Sequence, residues 1–152
     1  MLAASTRCSR QRPAARERPS WEDSLEARSI TSTELEERIR RDLPRLAVER
    51  SAEVARVIEC LITAMAPERI YAFGSQARGD ARSDSDVDIL VIVADSDLLP
   101  HRRDQLAYRA IGLHTTPIDI LVMTATEFES RSLSPSSLPT TVLREGRVLY
   151  AA

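Results

Sequence analysis

Lysine is absent from this 152-residue chain, so all 21 of its basic residues are arginine. Any cationic grip on phosphate must come from guanidinium groups or backbone N–H, and the usual phosphate-binding lysine is excluded. Cysteine is nearly as scarce. Cys8 lies in an N-terminal stretch and Cys60 in a helical pattern, which leaves neither a disulfide framework nor a zinc site and points to a reducing, cytoplasmic compartment. The longest apolar run, Ile89 to Ala94, is far too short to cross a bilayer. A dominant charge is missing as well. The net charge of −2 gives no overall basic field of the kind a dedicated nucleic-acid binder carries.

What remains is an ordinary globular mixture, 43% hydrophobic and 29% charged, long enough for one domain and a tail. Residues 1–20 hold Arg7, Arg10, Arg12, Arg16 and Arg18 against Glu17, with Pro13 and Pro19 and few large apolar side chains. Such a segment buries too little surface to offset its ordering entropy and reads as disordered. Its composition mimics a transit peptide, but an untargeted tail or an over-extended start accounts for it more simply. Residues 21–45 read as a weak helix through Leu35 and Ile39 that ends near Pro44. The division drawn is an extension over 1–45 and a domain over 46–152.

Within that domain, Val54, Val57, Ile58, Leu61, Ile62 and Met65 form one helical stripe, with Ser51 as its expected N-cap and Pro67 as its stop. Ile70–Phe73 reads as a short strand. Val87–Val93 is almost continuously apolar, as in a strand covered on both faces. A helix is expected over 97–113 with Pro100 in its first turn and Leu106, Ala110 and Leu113 inward. Ile118–Met123 is a third strand, and Thr124-x-x-Glu127 a capping box. Residues 132–141 read as a loop between helical turns, the last of which lies around 139–145 and ends at Gly146, with an edge strand at Val148–Tyr150. The fold class is mixed α/β.

The chemistry concentrates in residues 74–88. Asp86 and Asp88 stand two apart at a strand entry, so their carboxylates share a face while Val87 points inward. Two such groups repel unless a cation lies between them, and Mg²⁺ takes oxygen ligands while keeping water and phosphate in its other positions. Asp119 is a third carboxylate, in a strand that otherwise wants apolar residues. If its strand pairs with that of Asp88, three acids can hold two divalent ions about 3.5–4 Å apart, which suits in-line displacement at phosphorus. Gly74 lets the backbone approach a ligand closely. Ser75 and the N–H groups after it would open a helix over 76–79, and such N-termini bind phosphate. Arg78 and Arg82 could add charge toward a triphosphate, or Arg78 could brace the loop by pairing with an acid.

These residues make Gly-Ser, ten intervening positions and Asp-x-Asp. At that point the sequence resembles the minimal nucleotidyltransferases of the DNA polymerase β superfamily, the antitoxin-like MntA proteins of HEPN–MNT pairs. The resemblance covers roughly 50–150, including the ending Arg144-Glu145-Gly146-Arg147-Val148-Leu149-Tyr150. Gly74, Ser75, Asp86 and Asp88 match the family signature, and Asp119 its third acidic position. The resemblance implies a small mixed β-sheet with flanking helices and Mg²⁺-dependent transfer of AMP from ATP. It implies an acceptor too, a tyrosine hydroxyl of a partner HEPN toxin, as in a type VII-like toxin–antitoxin pair and hence a hetero-oligomer. The arginine-rich N-terminal extension departs from the compact family pattern.

Other readings stand beside this one. Asp86 and Asp88 with Asp80 and Asp84 could be a solvated acidic loop, and Asp119 a structural salt-bridge partner. His101 and His114 read as surface or capping residues, and Trp21 and Tyr108 have no motif around them. A domain this small should leave an open cleft for a partner to complete. A non-catalytic toxin-binding module and a transferase acting on an RNA 3′ end or a small molecule are the alternatives. Stable nucleic-acid binding is disfavoured, because acids outnumber arginines over 51–150.

Overall fold

The computed structural model describes residues 30–82 and 84–152. The expectations placed on residues 1–29, including disorder and the surroundings of Cys8 and Trp21, lie outside it. Ten elements follow in order: α1 (Ser32–Asp42), α2 (Val48–Met65), β1 (Arg69–Phe73), α3 (Gly74–Arg78), β2 (Val87–Val93), α4 (Pro100–Ile111), β3 (Ile118–Thr124), α5 (Ala125–Arg131), α6 (Leu138–Glu145) and β4 (Arg147–Ala151). The strands form one mixed sheet in the order β3-β2-β1-β4. β1 pairs antiparallel with both β2 and β4, whereas β2 and β3 are parallel and joined through α4. The chain is α/β as expected, and β4 takes the edge position foreseen for Val148–Tyr150.

Alternation along the strands sends two sets of side chains to opposite faces. Ile89, Val91, Ile118, Ile120 and Val122 join the buried residues of α1, α2 and α4 in the larger core cluster. Leu90, Ile92 and Met123 face the other way, where Phe128 of α5 and Val142 of α6 cover them. Tyr71 stacks on Phe128 there, with ring centroids 5.9 Å apart. Strand positions continuing that second face toward the start of β2 and β3 are Asp88 and Asp119. They are half-buried and exposed, respectively.

Four expectations require correction. The core starts before Leu46: Leu35, Ile39 and Leu43 are fully buried in the same cluster as α2, and a Thr31–Glu34 capping box opens α1. A stripe with one apolar residue per turn was too sparse to separate a docked helix from a surface one. Ser51 is not an N-cap. It lies buried inside α2, whose N-cap is Ala47, and its hydroxyl bonds back to the Ala47 carbonyl at 3.2 Å. The inward face of α4 carries Arg103, Ala107 and Ile111, while Leu106 is 45% and Leu113 99% exposed. The buried Arg103 was the obstacle to predicting that phase. It donates to Glu127 Oε2 at 2.5 Å and to the Leu98 carbonyl at 2.9 Å, partners not evident from a helical pattern. The helical turn expected around 139–145 is α6, which begins at Leu138 with Ser137 as its N-cap and ends at Gly146, so the loop expected over 132–141 stops short of it.

Candidate active site

β1 runs straight into α3, and the turn between them is possible because Gly74 sits at φ +71°. The absent side chain matters more than the angle. A Cβ built on Gly74 would lie 2.2 Å from Asp88 Oδ2, so the Asp88 carboxylate occupies the space that glycine leaves. The register agrees, with Phe73 opposite Asp88 on the antiparallel neighbour. α3 ends at Gly79 in the left-handed region, and the Gly79 and Asp80 N–H groups close back onto the Ser75 carbonyl at 3.0 and 3.2 Å.

The segment leading to β2 is braced at Ser85. Its hydroxyl accepts from the Arg82 N–H at 2.9 Å. Its carbonyl accepts from Arg50 Nη2 at 2.9 Å and from the buried Gln76 side chain at 3.4 Å. These contacts hold the backbone immediately before Asp86. Ser75, Arg82, Asp84, Ser85, Asp86 and Asp88 line an open cleft of about 410 Å³.

Asp119 enters the same neighbourhood through the parallel pairing, as the register partner of Asp88. Their proximity has an electrostatic consequence. The Asp88 carboxyl is pushed above its ordinary range first by burial, then by the negative charges of Asp119 and Asp86, with Arg78 acting in the opposite direction. Among the described residues, no three His, Cys, Asp or Glu side chains are already drawn together as a metal cage. Asp86 and Asp88 give the cleft wall hard oxygen donors, and Asp119 stands beside Asp88 across the strand pairing. That donor chemistry, with the Gly74 cradle and the repulsion on Asp88, fits a hard divalent cation that takes its other ligands from water and phosphate.

Arg78 is exposed and engaged in ion pairs, with Asp80 at 3.2 Å and with Glu145 of α6 at 3.6 Å. The bracing role weighed for it is the one seen in this geometry. His101 is exposed in the first turn of α4, and the His114 ring Nδ1 lies 3.0 Å from the Gly112 carbonyl.

Several supporting residues escaped the sequence reading. Tyr108 on α4 donates its hydroxyl to Asp119 Oδ1 at 2.9 Å. Glu53 of α2 receives the N–H groups of Thr115 and Thr116, both at 2.7 Å, and both threonine hydroxyls. These bonds hold its carboxyl down at about 2, the Thr116 hydroxyl contributing most. They also pin the chain just before β3, and so help set the register that brings Asp119 beside Asp88. The Thr115-Thr116 pair before a strand was the available signal for a carboxylate partner, but nothing local pointed to Glu53, about 60 residues away. No helix among the described residues is long and apolar enough to cross a membrane.

The profile of a family described as "Nucleotidyltransferase domain" matches residues 54–148, more than half of the chain. Comparison with curated proteins gives no match. Among solved structures, the chain is similar to one described as a candidate nucleotidyltransferase from Sulfolobus solfataricus. That likeness has 20% identity and TM-score 0.49, covering 83% of this chain and 93% of that one. It is also similar to a toxin–antitoxin structure with AMP-PNP, at 23% identity and TM-score 0.44, covering 64% of this chain and 72% of that one.

Proposed function

The chain belongs to the nucleotidyltransferase domain family, and on that footing we propose that it moves AMP from ATP to a hydroxyl, namely a tyrosine of a partner HEPN-type toxin. The observation that carries the reading is the parallel pairing of β2 with β3, which makes Asp88 and Asp119 register partners beside Gly74. In this reading Asp86, Asp88 and Asp119 hold Mg²⁺, most economically as two ions. When bound, the metal neutralises the triphosphate, stabilises the departing pyrophosphate and lowers the pKa of the attacking hydroxyl.

The chain's own residues do the rest. Ser75 and the first N–H groups of α3, which have no acceptor within the helix itself, hold phosphate oxygens. Arg82, in the cleft wall, adds the cationic contact that a lysine-free chain must draw from guanidinium. Arg78 holds the α3 turn against α6 through Glu145, and its charge favours the ionised form of Asp88. Asp119 Oδ1 is engaged by Tyr108, which leaves Oδ2 for a cation or for the acceptor's proton. The cleft is open, so the partner completes the acceptor half. The specific choice of a toxin tyrosine rests on the sequence resemblance.

Incubating the protein with labelled ATP, Mg²⁺ and the HEPN-type protein encoded beside it tests the proposal. Label should move to a tyrosine of that partner and the partner's toxicity should fall. An Asp86→Asn/Asp88→Asn double variant should transfer nothing. If that variant transfers label as well as the parent, the site is wrong. If it neutralises the toxin without label, the protein is a binding antitoxin.

A further inference from the structure

α4 runs along the free edge of β3 in the opposite direction. Four residues of helix advance about 6 Å and two residues of strand about 6.6 Å, so side chains at i and i+4 of the helix meet alternate N–H groups of the strand. Asp104 Oδ1 accepts from the Val122 N–H at 2.8 Å, and the Tyr108 hydroxyl oxygen accepts from the Ile120 N–H at 2.9 Å. Both side chains thereby occupy edge donors that would otherwise be open to another strand. Tyr108 makes a further contact. Its single proton is donated to Asp119 Oδ1, and the incoming Ile120 N–H leaves it no competing arrangement at the oxygen.

Asp119 needs such a restraint. It is exposed, so its carboxylate has rotamers to lose on ordering, and it stands beside Asp88, whose charge repels it. We propose that Tyr108 is a positioning residue for the transfer reaction, holding the Asp119 carboxylate in the orientation that lets it act together with Asp88. The proposal rests on the transferase reading above and extends it to a residue outside the acidic signature.

The test compares Tyr108→Phe with Asp104→Ala. Each removes one acceptor from the β3 edge, but the second leaves Asp119 untouched. Thermal midpoint, Mn²⁺ affinity by electron paramagnetic resonance with the metal alone, and kcat and KM for ATP are measured on the full chain. Both variants should lose similar thermal stability. Tyr108→Phe alone should weaken Mn²⁺ binding and lower kcat by about 10- to 100-fold, the usual effect of removing a group that orients a metal ligand, with KM for ATP little changed. Equal losses of kcat in the two variants would mean that Tyr108 only seals the edge, and would overturn the proposal. So would parental kcat and Mn²⁺ affinity in Tyr108→Phe. If the parent protein transfers nothing to any acceptor, the transferase reading falls. The Mn²⁺ titration then decides Tyr108 by itself, and unchanged affinity refutes its role.

Discussion

Gly74→Ala and Gly79→Ala form a matched pair of perturbations that separates backbone strain from the placement of a carboxylate. Both glycines sit in the left-handed region, at φ +71° and +81°, where an L-residue costs about 1–2 kcal/mol. They differ in what a new methyl group meets. At Gly79 nothing lies within 4 Å, whereas at Gly74 the Cβ falls 2.2 Å from Asp88 Oδ2 and 3.1 Å from its Cγ. A normal contact is about 3.5 Å, so the carboxylate must retreat by more than an ångström. It is the free end of a side chain and can swing away, so the fold should survive. Urea denaturation should therefore show similar losses for both variants, about 1–2 kcal/mol each. Activity should separate them. A reacting group displaced by about 1 Å costs on the order of 100-fold, so Gly74→Ala should lose about that much of its transfer rate while Gly79→Ala stays near the parent rate. Parental activity in Gly74→Ala, or an equal loss in Gly79→Ala, would refute the claim that the glycine exists to admit Asp88.

Two further outcomes follow from buried or bonded carboxylates. The Glu53 carboxyl is lowered to about 2 by the Thr115 and Thr116 hydrogen bonds, from an ordinary value of 4.5. Its stabilising contribution is thus fully present above about 4.5 and is lost as pH falls toward 2. Urea midpoints measured between pH 6 and 2 should show that loss, and a Glu53→Gln variant should be less stable at neutral pH and flatter across that window. Glu127 serves both the buried Arg103 guanidinium and its own capping box at Thr124. Glu127→Ala should cost about 2–3 kcal/mol, as for a charge-assisted hydrogen bond removed from a buried partner. Replacing Arg103 with Leu in the same chain should recover part of the loss, and thermal unfolding of the single and double variants checks both.

The strands and the acidic signature were legible in the linear sequence because they are short-range. A β-branched run such as Val87–Val93, the period of two that puts Asp86 and Asp88 on one face, and the Gly74-Ser75 turn each need only a few neighbouring residues. The Thr124–Glu127 capping box and the stop at Gly146 were readable for the same reason. α4 was not, since Leu106 and Leu113 mark an apolar stripe of their own, while its true inner face contains an arginine whose partner comes 24 residues later.

The amino-acid sequence by itself thus determined the candidate acidic groups and the local turns that carry them. It also required any grip on phosphate to use guanidinium or backbone N–H. Only the tertiary structure decided that Asp119 lies beside Asp88, because that depends on β3 pairing in parallel with β2 in one particular register. A shift of one residue would send Asp119 out of line with its partner and turn its carboxylate to the opposite face. The register is reinforced from outside the strands, by Glu53 gripping the chain before β3 and by Asp104 and Tyr108 along its free edge. Those contacts join residues 12 to 63 positions apart, and no period along the chain encodes them.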